Sequence, residues 1–172
     1  MIRILGCCMI LGGSLGLGFW YSSQWNGRLR ILRDMIHILE LLGGEVRYGR
    51  AALPECCSHI SRYLPEPFGE AFSAVGRRME ENTGVSFPQV FREEMEKAFA
   101  GLPLQEEDRE NFLLFALQTG FSDGQMQLRA IERSAELLQC TEEKLKRENA
   151  EKSRMAVGLG AMGGLLMVIV LW

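Results

Sequence analysis

The chain has 172 residues, with 19 Lys and Arg against 22 Asp and Glu and a formal charge of −3. Every acidic residue, and every basic one except Arg3, falls between residues 28 and 154, so the middle of the chain is slightly more acidic than the whole. Such a surface suits a phosphate backbone badly, because that backbone rewards clustered positive charge, so nucleic acid is not an expected partner.

Ile4 to Gly27 carries no charged residue, and neither does Met155 to Trp172. A helix crosses a bilayer with roughly 20 mostly apolar residues, about 17 at the least, so each end supplies a span. The expected organisation is an N-terminal transmembrane anchor over 1–27, a soluble body over 28–154 and a C-terminal transmembrane helix over 155–172. A cleaved signal peptide competes for the first stretch. The Leu5-Gly6-Cys7 triplet comes too early to follow an apolar region, however, and Phe19, Trp20, Tyr21 and Trp25 read as an interfacial aromatic belt, so retention is expected. Arg28, Arg30 and Arg33 follow the first stretch, and Lys144, Lys146, Arg147, Lys152 and Arg154 precede the second. By the positive-inside rule the body is cytoplasmic and both termini lie outside. Gly12 with Gly16, and Gly160 with Gly164, have the small-xxx-small spacing that allows close approach between membrane helices.

The body reads as helix throughout. Leu32, Met35, Ile36, Leu39, Leu42 and Val46 form one stripe on a helix predicted to reach Tyr48, loosened at Gly43-Gly44 and ended by Gly49. Pro54 opens a shorter helix over 54–63. Pro65-Glu66-Pro67 stops it and starts another, carrying Phe68, Phe72, Val75 and Met79. After the turn at Asn82-Thr83-Gly84, Ser86 and Gln89 have capping-box spacing ahead of Val90, Phe91, Met95 and Phe99, and that helix ends near Gly101. Glu106, Glu107, Asp108 and Glu110 suit the positive end of the next helix, which buries Phe112, Phe115 and Ala116. Ser122 with Gln125 reads as a second capping box. The last helix follows, with Leu128, Ile131, Ala135, Leu138 and Leu145 in a coiled-coil-like seam that Glu142 interrupts. No alternating β-branched run calls for a sheet. The fold class is all-α: a compact antiparallel bundle of about six helices, flanked by N- and C-terminal transmembrane helices.

No phosphate loop, nucleophile elbow or other catalytic constellation is present, so neither enzyme activity nor a cofactor is expected. Cys56, Cys57 and His59 offer the competing reading, a membrane-tethered thiol or metal sensor or enzyme. Zinc needs four ligands, and only Cys140 and His37 remain to complete a set, so no metal is expected and the cysteines read as buried or half-buried structural residues. His37 and His59 read as solvated or satisfied histidines.

The string from Glu45 through Tyr48, Gly49, Leu53 and Pro54 to Glu55 resembles the E-x-x-Y-G-x-x-x-L-x-E signature of the stage III sporulation protein AB family. Gly120, Asp123 and Gln127 resemble that family's second signature, L-G-x-x-D-x-x-x-Q, with Thr119 where Leu is usual. The likeness spans the whole chain, and Phe91 stands where Trp would be expected. The resemblance implies a bacterial endospore former and a scaffold in the secretion-like complex between mother cell and forespore, on the mother-cell side of the forespore outer membrane. It implies a body similar to the cytoplasmic domain of type II secretion F proteins. The implied partners are a stage III sporulation protein AA-like ATPase, other membrane proteins of the complex and the lipid bilayer. An F-like scaffold of another secretion or pilus system is the remaining alternative. Two corners are the candidate contacts, Glu45, Tyr48, Gly49, Leu53, Pro54 and Glu55 in one, and Gly120, Asp123 and Gln127 in the other. Gly49, Pro54 and Gly120 equally serve to turn the chain.

Overall fold

Apolar residues at helical spacing, broken by proline and glycine, give helices joined by short turns. The computed structural model describes residues 27–48, 52–81, 84–118 and 124–171, with side chains beyond 152 only at 155, 158 and 162. Among these residues there are six α-helices and no strand: α1 (27–48), α2 (Leu53–Ile60), α3 (Phe68–Glu80), α4 (Phe87–Phe99), α5 (Glu106–Leu117) and α6 (Gly124–Leu171). A 3-10 turn, Ser61–Tyr63, extends α2. The bundle is the compact unit Arg30–Glu142, and residues from both chain ends make up a second unit.

Consecutive helices pack side by side, α2 on α3, α3 on α4 and α4 on α5. Phe68, Phe72, Phe91, Phe99, Phe112 and Phe115 are fully buried between them. Phe91 is the hub, its ring 5.5 Å from Phe72, 6.2 Å from Phe112 and 5.0 Å from Phe115. Edge-to-face pairs such as Phe72–Phe91 and Phe91–Phe115 each contribute about 0.5–1.5 kcal/mol beyond burial. The aromatic at position 91 thus serves as core.

Helix α1 runs unbroken through Gly43-Gly44 and buries Leu32, Met35, Ile38, Leu39 and Leu42 completely. It lies antiparallel to α6, because Arg33 Nε reaches Glu142 Oε1 at 2.7 Å while Arg47 Nη2 reaches Glu132 Oε1 at 2.8 Å. A Cβ on Gly43 would stand 3.6 Å from both Leu128 and Ile131. On α6, Ile131, Leu138 and Leu145 are buried, whereas Leu128 and Ala135 are half-buried. The seam position of Glu142 is explained by Arg33, whose partner carboxylate side chain is only 13% exposed.

Helix ends follow the punctuation with two differences. Ser86 is the N-cap of α4, but its side chain accepts no capping hydrogen bond, and Gln89 instead donates to Glu93 at 3.3 Å. Pro88 in the first turn supplies no N–H, which removes one of the orphan donors a cap would serve. The capping box lies instead at α5, where Gln105 and Asp108 satisfy each other's backbone N–H groups and Asp108 is buried. Gly101, at φ +79°, takes the left-handed conformation just after α4. The second expected box and the turn at Gly120 lie outside the described residues.

Among the described residues no helix is long and apolar enough to cross a membrane. The first expected span, 1–27, lies outside them except for its last residue. Over 155–171 the α6 backbone is helical, but most of the side chains that would meet lipid lie outside the described residues.

Candidate functional site

A second stripe runs along α1, away from its core face. His37, Glu40, Leu41, Gly44, Glu45 and Tyr48 recur at steps of three and one, and together they line a shallow groove. Leu41 is half-buried, and Gly44 leaves the floor bare, with nothing within 4 Å of where its Cβ would be. Tyr48 closes one end with 86% of its surface exposed.

Arg33, Glu40 and Arg47 lie seven residues apart on one line of α1. Arg33 and Arg47 turn to α6 and are neutralised by Glu142 and Glu132. Among the described residues, Glu40 and Glu45, on the groove, pair with imidazoles: His37 Nδ1 lies 4.0 Å from Glu40, and His59 Nδ1, from α2, lies 3.9 Å from Glu45. Glu55 is exposed on α2, and its charge and that of Glu45 both act on Cys56. The groove is therefore a negative, partly apolar surface between two carboxylates.

The structure sorts the residues expected to make contacts. Glu45 and Tyr48 line the groove, while Glu55 is exposed nearby. Leu53 is 4% exposed, so it holds α2 to the core and is not available to a partner. Pro54 is half-buried in the first turn of α2, and its carbonyl faces α3 close to Gly76. Gln127 is half-buried on α6. Gly49, Gly120 and Asp123 lie outside the described residues. His37, Glu40, Leu41 and Gly44 were not among the expected contacts. Their signal was a second three-and-four spacing on the same helix, masked by the stronger core stripe.

The thiol reading is not supported by the geometry. Cys56 and Cys57 are both fully buried. Burial, helped by Glu45 and Glu55, pushes the Cys56 thiol up, and burial with the neighbouring Cys56 pushes Cys57 up much further. Reactive cysteines need the opposite, a partly exposed electropositive setting. His59 points to Glu45, and no cluster of three or more metal-ligating side chains occurs among the described residues.

The described residues define the class of fold: an all-α bundle around an aromatic core, with a shallow groove on α1. The model of the stage III sporulation protein AB family matches residues 3–172, and the chain belongs to that family. It is 24% identical over 171 residues to stage III sporulation protein AB of Bacillus subtilis (strain 168), covering 99% of each chain. A solved structure of a stage III sporulation protein AB has the same fold, with a TM-score of 0.64 at 22% identity, over 72% of this chain and 97% of the other.

Proposed function

We propose that this protein is a non-enzymatic, membrane-anchored scaffold of the sporulation secretion-like complex between mother cell and forespore. Its body, residues 28–154, stands in the cytoplasm as a platform for an ATPase like stage III sporulation protein AA, with other membrane proteins of the complex around it. The uncharged ends, 1–27 and 155–172, hold it to the lipid. One observation carries the platform reading: Glu45 and Tyr48, two residues of the family-like first signature, face outward over a groove.

Anchoring makes a weak patch sufficient. Two proteins confined to one membrane meet at a raised effective concentration, so modest contacts give a stable assembly. Co-purification from solubilised membranes of sporulating cells tests the reading. The AA-like ATPase should accompany the wild-type chain and be depleted with Glu55→Lys or Asp123→Lys while the chain stays folded. Full retention with both variants would remove these two corners as the contact, and absence with the wild type would end the platform reading.

A further inference from the structure

The α1 groove has a sign, a floor and a spacing, and each restricts what can lie in it. Its carboxylates, Glu40 and Glu45, are not neutralised by Arg33 and Arg47 of the same helix, because those arginines are engaged by Glu142 and Glu132 of α6. Among the described residues, their ion-pair partners are two imidazoles, at 4.0 and 3.9 Å. An anionic lipid surface is repelled by this arrangement, and a cationic partner is drawn to it. The floor is bare at Gly44, where a helix backbone without a side chain lets another helix approach closely. Tyr48 adds a large, rigid, amphipathic ring at the end.

We propose that this groove seats a basic amphipathic helix of a protein partner, with an apolar side chain over Gly44 beside Tyr48 and Lys or Arg against Glu40 and Glu45. The two carboxylates lie five residues apart, about 7.5 Å along the axis and about 140° around it, so they stand on the two edges of the groove and meet the two flanks of a helix laid between them. This deepens the platform reading and rests on it for the existence of a protein partner.

The test uses the full chain in phosphatidylcholine nanodiscs and two fluorescein-labelled helical peptides sharing one Leu face, one edged with Lys and the other with Glu. Anisotropy is read after subtracting empty discs. The Lys peptide should bind at least about tenfold tighter than the Glu peptide, and added salt should narrow the gap. The double variant E40K/E45K should reverse the preference. Gly44→Leu, which has room to fold, should weaken the Lys peptide with helix content unchanged. Equal binding of both peptides, or a preference unmoved by E40K/E45K, would overturn the proposal. Self-crosslinking of Tyr48→Cys copies that disappears in E40K/E45K would also overturn it, by making a second copy the occupant. Failure of the ATPase to co-purify with the wild-type chain counts against the platform reading alone, because the peptide result does not depend on it.

Discussion

Two glycines in helix interiors show how differently one residue type is used. Gly76 of α3 faces Ser58 of α2, where an added Cβ would overlap Ser58 Oγ and stand 3.0 Å from its Cβ. Gly44 of α1 faces open space. Gly76→Val should therefore destabilise the protein by about 1–3 kcal/mol through overpacking. Gly44→Ala should stabilise it by about 0.5–1 kcal/mol, since it lowers the entropy lost on folding and disturbs nothing. Urea midpoints of the two variants check both signs. The buried thiols give a further expectation. Peptide-mapped alkylation of the native chain should label exposed Cys140 first, and Cys56 and Cys57 only after unfolding. The difference between the glycines was not legible in the sequence, where Gly44 read as a weak point in a helix, whereas Cys56 and Cys57 are buried as structural cysteines were expected to be. What decides that difference is which neighbouring helix stands opposite, and that is a long-range fact.

At the scale of elements, ion pairs tie the edges of helices whose middles are joined by phenylalanine. Arg78 of α3 donates to Glu94 at 2.6 Å and to Glu93 at 2.8 Å on α4, and Lys97 also donates to Glu94 at 2.8 Å. Arg92 of α4 holds Glu110 of α5 with two bonds, at 2.9 and 3.1 Å. Burial tends to raise Glu94, but its hydrogen bonds from Lys97 and Arg78 win, and its carboxyl sits below the ordinary 4.5. Arg78 and Arg92 likewise hold Glu93 and Glu110 below that value. A carboxylate depressed in the folded state contributes stability that is complete above its unfolded value and disappears as pH falls through the folded one. Stability should thus decline below about pH 4.5, and Arg78→Met should make that acid-side decline shallower, as read from urea midpoints between pH 7 and pH 3. Helix positions and core faces were legible from apolar spacing and proline, and so was the order of the elements. The caps were less so. Ser86 had the right spacing to Gln89 yet makes no cap bond, whereas Gln105, not a favoured N-cap residue, makes a full box with Asp108. Cap choice depends on local backbone and on competing partners such as Glu93, which a spacing rule does not contain.

For the whole molecule, the reading depends on where the bundle stands. The proposed placement, a body on the cytoplasmic face of a membrane, rests on the uncharged ends and the arginines and lysines on their inner flanks. The proposed use of the α1 groove depends on that setting, where a partner confined to the same surface would meet it at raised effective concentration. Site-resolved proteolysis of protoplasts of vegetative cells that express the chain, where it enters the plasma membrane, decides the placement. With protease added outside sealed cells, residues 28–154 should survive intact and be cut only after detergent is added, and carbonate extraction should leave the chain in the membrane pellet. Cleavage within 28–154 before permeabilisation, or release of the chain by carbonate, would contradict the placement and with it the proposed platform.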